Sequence, residues 1–168
     1  MPNWTRSYVR YVEAFNYRVG RFAMYLLFMI MAILLYSSFT KIIHLPALWT
    51  LEMAQFTLVA YYLLGAPYTF QLGTNVRMDL LYARFSPRAQ AMWDVVTIFC
   101  LIFYLGVMLY GAVESTAYSI EVGERNPSAW RPYMWPLKLI ISFSFLLMLL
   151  QATVHLIRDI AVLRGEEI

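Results

Sequence analysis

Four apolar stretches without a charged residue organise this chain. They cover 22–40, 53–72, 95–113 and 139–157, and each is 19 or 20 residues long. A transmembrane helix needs about 20 such residues to cross about 30 Å of hydrocarbon. The pattern therefore predicts an all-α integral membrane protein, a single membrane domain with four transmembrane helices.

The segment before the first apolar stretch has an amphipathic pattern. Its apolar side chains recur at helical spacing, and its charged side chains fall on the other side: the apolar set is Tyr8, Val12, Phe15, Val19 and Phe22, and the charged set is Arg6, Arg10, Glu13 and Arg21. This pattern predicts a helix over 1–21 that lies in the membrane interface. Gly20 is the expected joint at which the chain turns into the bilayer, and a short disordered basic tail is the alternative.

The loop at 73–94 contains a second, shorter amphipathic pattern. Met78, Leu81, Tyr82 and Phe85 form an apolar stripe, flanked by Arg77 and Arg84. We predict a short interfacial helix whose arginines reach towards lipid headgroups. Ser86 and Pro87 are a good N-cap and a good first helical residue, so the helix of the third span is expected to begin there.

The distribution of lysine and arginine predicts the orientation of the chain. Nine of the 13 basic residues lie in the N-terminal segment, the 73–94 loop and the 158–168 tail, and four lie in the other two loops. Because cytoplasmic loops carry the excess of positive charge, both termini are expected in the cytoplasm. The loop at 114–138 is then on the opposite side. Its prolines exclude a long helix, and Trp130, like Trp49 in the first loop, suits the membrane boundary.

Polar residues within the spans are few. Glu52, Asp94, Glu114 and Lys138 all lie at span edges. An autonomous exporter would be expected to keep a carboxylate inside its spans, where ionisable groups are tolerated mainly for function. Gln151 is expected to hydrogen-bond across a helix interface. In 65–67, Gly-Ala-Pro predicts a mild kink with small residues that allow close helix approach, although a gating hinge is the other reading.

The composition adds exclusions. Hydrophobic residues make up 61% of the chain and charged residues 14%, and the basic residues form no dense patch typical of nucleic-acid binding. His44 and His155 are expected at opposite ends of the spans, so they cannot ligate one haem. Cys100 is interpreted as a small apolar filler. No metal, nucleotide or nucleophile motif is present, so we expect neither a cofactor nor an enzyme.

The order of several short motifs resembles the small membrane subunit of tripartite ATP-independent periplasmic (TRAP) transporters over nearly the whole chain. The motifs are Trp49-x-x-Glu52, Leu64-Gly65-Ala66, Asn75-Val76-Arg77-Met78-Asp79-Leu80-Leu81, Leu81-Tyr82-x-Arg84-x-Ser86-Pro87-Arg88, Gly123-Glu124-Arg125-Asn126-Pro127, Trp135-Pro136-Leu137-Lys138 and Leu149-Leu150-Gln151. Asn75 departs from the pattern, because the family commonly has His there.

The resemblance implies a division of labour. A periplasmic binding protein captures an organic anion, a large multi-span subunit moves it with a sodium gradient, and the small subunit is a scaffold that helps form the docking platform. It implies the bacterial inner membrane, with membrane lipids as further partners. The third loop is most similar to the group associated with mannitol, chloroaromatic or 2-oxo acid substrates. A membrane anchor of a redox complex and a small autonomous transport or interaction protein remain alternatives.

Six residues are candidates for contact with these partners: Trp49, Glu52, Arg77, Asp79, Trp130 and Gln151. Trp49 and Glu52 share a helix face because they are three positions apart. Lys41 is the basic residue that the first loop offers, so the partner of Glu52 could belong to another subunit. The simpler interpretation is a solvated acid at a helix start, stabilised by the helix dipole at about 0.3–1 kcal/mol.

Overall fold

The structure, a computed structural model, describes residues 3–43, 47–73 and 87–164. In these ranges the chain forms four α-helices. They are α1 (Asn3–Ile42), α2 (Trp49–Gln71), α3 (Pro87–Val122) and α4 (Trp135–Arg164). The first described residue of α3 is Pro87, where the third helix is predicted to start. The interfacial helix predicted over 77–85 lies outside the described residues, as do His44, Arg77 and Asp79.

The helices pack as two hairpins that are joined mainly through α2 and α4, and also through α1 and α4. α1 packs along α2, α3 packs chiefly on α4, and α2 and α4 join the hairpins. Side-chain hydrogen bonds accompany both hairpin interfaces. The hydroxyl groups of Ser37 and Thr50 are 3.0 Å apart across α1 and α2. Those of Thr116 and Ser142 are 3.0 Å apart across α3 and α4. α3 therefore lies at one side of the molecule.

Among the described residues, three helices contain segments long and apolar enough to cross a membrane: Trp4–Ile42, Met92–Val122 and Trp135–Ala161. The all-helical membrane architecture is thus supported. α2 is not among the three, although its 23 residues span about 35 Å. Gln55, several tyrosines and Pro67 lower its hydropathy. The count of four spans and the orientation of the termini stay predictions.

The polarity of the fold is that of a protein surrounded by lipid. Large apolar side chains cover much of the outside, and Phe103 is 72% exposed. Small or polar side chains occupy many interior positions, including Ala152, Thr50 and Ser144. Small residues bring membrane helices close together, and buried hydroxyl and amide groups must be satisfied within the protein. The interior is consequently built from close backbone approach and polar contacts.

The N-terminal segment and the first span form one continuous helix, which differs from the predicted separate helix over 1–21. No helix-breaking residue separates the two parts, and a glycine inside a helix costs only about 1 kcal/mol. Gly20 has a different function from the predicted joint. A Cβ atom placed on it would meet Tyr68 Cβ at 2.4 Å and Tyr68 Cγ at 2.5 Å. Gly20 thus allows α1 and α2 to touch.

The two parts of α1 nevertheless pack against different helices. Tyr8 and Asn16 are about 12 Å apart along a helix, whereas their hydrogen-bonding partners Thr153 and Gln151 are about 3 Å apart along α4. This spacing implies that the first part of α1 crosses α4 instead of running along it. The later part follows α2, since Gly20 meets Tyr68 and Ser37 meets Thr50. The location of the first part of α1 in the plane of the membrane interface stays a prediction.

Of the small residues in 65–67 that were expected to allow close helix approach, Gly65 makes no such approach within the described residues, and the mild kink stays a prediction. No heavy atom lies within 4 Å of a Cβ atom placed on Gly65. Pro67, two positions later, is buried inside α2. The close contact that requires a glycine is at Gly20 of α1, because Tyr68 of α2 projects directly at it.

We predict that Gly20→Ala destabilises the helical bundle and that Gly65→Ala does not. The new methyl group at position 20 would overlap Tyr68 Cβ, which is fixed to the backbone, so α1 and α2 must separate. Overpacking of this kind costs about 1–3 kcal/mol. Thermal unfolding of the purified protein in detergent measures both variants. Equal melting temperatures for the two variants would contradict the assigned contact.

Candidate partner-binding ends of the bundle

One end of the bundle is closed by a small hairpin over 124–134, which we call the hairpin end. Gly123 stops α3 with a φ of 65°, and the Glu124 N–H donates to the Ser119 carbonyl at 3.0 Å. This is the 6→1 bond of a glycine-terminated helix. The Asn126 N–H donates to the Pro132 carbonyl at 2.9 Å, and the Met134 N–H donates to the Glu124 carbonyl at 3.0 Å. The loop has therefore a defined shape.

The tip of this hairpin presents Trp130. Its side chain is 41% exposed and precedes Arg131, whose φ is 50°. A left-handed residue other than glycine is uncommon, and here the Arg131 N–H donates to the Ser128 hydroxyl at 3.2 Å. Arg125 lies over the Tyr133 ring, 4.2 Å from the ring centre. The fold thus holds an aromatic side chain outward at a fixed turn.

Glu52 lies in the first turn of α2, as the sequence predicts, but it is not a solvated acid. It is 8% exposed, and the Asn126 amide donates to its Oε2 at 3.5 Å. Contact with the 124–134 hairpin takes the place of the water that would surround a solvated Glu52. A contact with another subunit stays a prediction. Trp49, at the start of the same helix, is partly exposed and its ring lies 5.8 Å from that of Tyr36.

An ion pair attaches the hairpin to α4. Lys138 Nζ lies 2.5 Å from Glu124 Oε2. The hydrogen bond from Lys138 holds the pKa of the Glu124 carboxyl below its usual range. Because Glu124 precedes the turn and Lys138 follows it, this pair holds together the base of the hairpin.

The other end of the bundle is basic, and polar contacts fasten α1 to α4 there. The Asn16 amide donates to Gln151 Oε1 at 2.7 Å. The Tyr8 and Thr153 hydroxyls are 3.0 Å apart, and Arg158 Nη2 lies 2.5 Å from Glu13 Oε1. Val9, Val12 and Val154 form an apolar core beside them. A further contact joins α2 to α4, where His155 Nε2 lies 3.1 Å from the Phe70 carbonyl oxygen.

Gln151 is 0% exposed, and its Oε1 accepts a hydrogen bond from Asn16 inside this chain. The sequence predicted that it bonds across a helix interface, and its bond to Asn16 confirms this. Its role towards another subunit stays a prediction. Asn16 was not identified from the sequence, although it follows Val12 by one turn on the apolar face of α1. A polar residue at such a position is a signal for an interhelical hydrogen bond.

The described residues contain no group of three or more His, Cys, Asp or Glu side chains that could hold a metal ion. The contacts observed at the two ends are hydrogen bonds, ion pairs and aromatic contacts.

Comparison with known proteins identifies the family. Residues 29–162 match the profile of tripartite ATP-independent periplasmic transporters, DctQ component. The chain belongs to the DctQ family. A relative is the isethionate TRAP transporter permease protein DctMQ of Oleidesulfovibrio alaskensis, which is 25% identical over 115 residues. The match covers 68% of this chain and 17% of that relative. No solved structure matches the chain.

Membership of the DctQ family identifies the chain as a small membrane component of a TRAP transporter. It confirms the resemblance on which the sequence analysis relied. The family is that of a transporter component, and the apolar helices agree with a membrane location.

We predict that single apolar substitutions of the Asn16–Gln151 pair cost more than the double substitution. Asn16→Leu or Gln151→Met alone leaves one buried amide without its partner, which costs about 1–3 kcal/mol. The double variant removes both amides. The remaining polar atoms of these amides, Asn16 Oδ1 and Gln151 Nε2, have no hydrogen-bond partner among the described residues. Thermal unfolding of the four proteins forms a double-mutant cycle. If the double variant loses as much stability as the two single variants added together, the two amides are not coupled.

We predict that the Glu124–Lys138 pair adds stability above the usual glutamate pKa and loses it in acid. The pKa of Glu124 is lowered in the folded state, so its contribution is complete above pH 4.5 and disappears as the pH falls through the lower folded value. Glu124→Gln should therefore lower the melting temperature at pH 7, and its difference from the parent should shrink as the pH falls below 4.5. Glu121→Gln, one turn earlier, is the control. A difference in melting temperature between Glu124→Gln and the parent that grows as the pH falls would refute the stabilising role of this ion pair.

Proposed function

We propose that this DctQ-family chain is the scaffold subunit of a sodium-coupled importer of organic anions in the bacterial inner membrane. It holds the large transport subunit through the outer face of α3. Its hairpin end contributes to the surface on which a periplasmic binding protein docks. The large subunit carries the substrate and ion pathway.

The observation that carries this proposal is the outer face of α3. Phe99, Phe103, Val107 and Tyr110 recur at helical spacing and are more than half exposed. Ile98 and Leu105, on the other side, are buried towards α4. Because α3 packs chiefly on α4, its aromatic face is available to lipid or to another membrane subunit. Bulky aromatic side chains provide a large contact area at a protein interface.

The interior of the bundle offers little for transport by this chain alone. Its buried polar groups are mostly hydroxyls and amides, such as Thr57, Ser144 and Gln151. Thr57 donates to the Met53 carbonyl at 2.7 Å, and Ser144 donates to the Ile140 carbonyl at 2.8 Å. Groups that bond to the backbone of their own helix stabilise the fold. Ion and proton pathways instead use ionisable side chains that face a cavity.

The hairpin end is proposed as the docking side for two reasons. The excess of lysine and arginine at the other end favours a periplasmic position for residues 123–134. The hairpin also presents Trp130 on a turn held by backbone bonds, and exposed tryptophans are frequent at protein interfaces. Trp49 and Glu52 lie at the same end, so they belong to the same proposed surface. Arg77 and Asp79 remain candidates for contact with the large subunit.

The substrate is proposed at the level of chemical class. The relative's name includes isethionate, a small organic anion, and this chain matches 17% of that relative's length. The similarity of the third loop favours a carboxylate of the 2-oxo acid type. Isethionate and a 2-oxo acid are therefore the two test substrates.

We predict that sodium-driven uptake of such an anion requires this chain, the large subunit and the binding protein together. Proteoliposomes that contain this chain alone should show no uptake of isethionate or of a 2-oxo acid. In the complex, Phe99→Ala with Phe103→Ala should reduce co-purification of the large subunit several-fold, because it removes the aromatic face of α3.

The matched control removes two equally exposed apolar side chains of α1, Leu35→Ala with Phe39→Ala. It should leave co-purification unchanged. Sodium-dependent uptake by the isolated chain would refute the scaffold function. Equal loss of co-purification in both double variants would refute α3 as the interface. The scaffold function itself would then be tested by the uptake measurement.

A further inference from the structure

A groove of about 730 Å³ lies at the basic end of the bundle, between α1 and the ends of α2 and α4. We call it the basic groove. Five arginines and one glutamate line it: Arg6, Arg10, Arg18, Arg21, Arg158 and Glu13. Two helices, α1 and α4, thus bring the charges of distant parts of the chain to one concave surface.

Two of these arginines are held by contacts within the protein. Arg158 pairs with Glu13 at 2.5 Å, and Arg21 Nη2 donates to the Tyr17 hydroxyl at 2.6 Å. The Arg21 guanidinium also lies 4.9 Å from the centre of the Tyr17 ring. These contacts fix part of the groove wall. Glu13, the acid in the lining, is engaged by Arg158, so positive charge dominates the groove.

The chemistry of this surface favours phosphate. Guanidinium groups bind phosphate oxygens in a bidentate manner and are more weakly hydrated than ammonium groups. Arg6 and Arg21 are fifteen positions apart, about 22 Å along a helix. The groove is therefore longer than one inorganic phosphate and suits a larger phosphate-bearing molecule.

The surface next to the groove is apolar, and this favours a lipid as the source of the phosphate. Phe22 follows Arg18 by four positions, and Tyr25 and Phe28 follow Arg21 by four and seven, so they extend the same side of α1. All three are strongly exposed. A headgroup in the basic groove would leave its acyl chains along these rings. A free anion or an acidic protein segment makes no use of them.

We propose that the basic groove binds the phosphate headgroup of an anionic phospholipid, with the acyl chains lying along Phe22, Tyr25 and Phe28. The site would fix the crossing part of α1 to the membrane through Arg10 and Arg18. This is a specific lipid site, distinct from general contact with the bilayer.

The test uses the purified, delipidated full chain in detergent with three probes: phosphatidylglycerol, phosphatidylcholine and inorganic phosphate. Native mass spectrometry counts bound lipid, and thermal unfolding measures the stabilisation. Arg10→Gln with Arg18→Gln removes two groove charges without touching the Glu13–Arg158 pair. We expect phosphatidylglycerol to bind this variant about 30-fold more weakly than the parent, since each surface arginine near an anionic headgroup contributes about a fivefold effect.

The matched control, Arg125→Gln with Arg131→Gln, removes the same charge at the hairpin end and should bind phosphatidylglycerol as the parent does. Arg10→Lys with Arg18→Lys should recover part of the binding, which separates lost charge from misfolding. Stabilisation by inorganic phosphate equal to that by phosphatidylglycerol would overturn the lipid as the source. Equal binding of phosphatidylcholine, or equal loss in the control, would overturn the site.

Discussion

Close contact and hydrogen bonding between apolar helices are the constraint on which this fold depends. In lipid the hydrophobic effect does not drive helices together, because the tails are as apolar as leucine. The helix pairs here are joined instead by short polar contacts: Ser37 to Thr50, Thr116 to Ser142, Asn16 to Gln151 and His155 to Phe70. Gly20 adds a direct approach of α1 to Tyr68. Removing these contacts would leave helices with little preference for one another over lipid.

The location of these contacts explains the path of α1. Gly20 and Ser37 keep its later part against α2, and Tyr8 and Asn16 hold its earlier part across α4. A single helix thereby contacts both hairpins of the bundle. The arginines of α1 are carried across the basic end by the same arrangement, since they alternate with the side chains that face α4. The basic groove is a consequence of the polar contacts that fasten the helix.

The sequence predicted the features that depend on composition and periodicity, and missed those that depend on a partner helix. Long uncharged runs determine helices, and the prolines of the third loop determine where a helix cannot continue. Whether Gly20 or Gly65 permits close packing depends on which side chain faces it, and Tyr68 faces Gly20. Likewise, the position of Glu52 at the start of α2 was predictable. Its burial against Asn126 requires the hairpin, which is 74 positions away.

The two ends of the bundle differ in ways that suit two different neighbours. At the hairpin end, charges are paired within the chain, as in Glu124 with Lys138, and aromatic side chains are presented on fixed backbone. Contacts of that kind favour a protein surface, where rigid aromatic groups bind with little loss of conformational entropy. At the basic end, arginines exceed acids along a groove that continues into exposed rings. A surface with charge beside apolar rings matches the headgroup and acyl region of a membrane. The outer face of α3 is exposed between the two ends, and in the proposed function this face holds the large subunit within the bilayer.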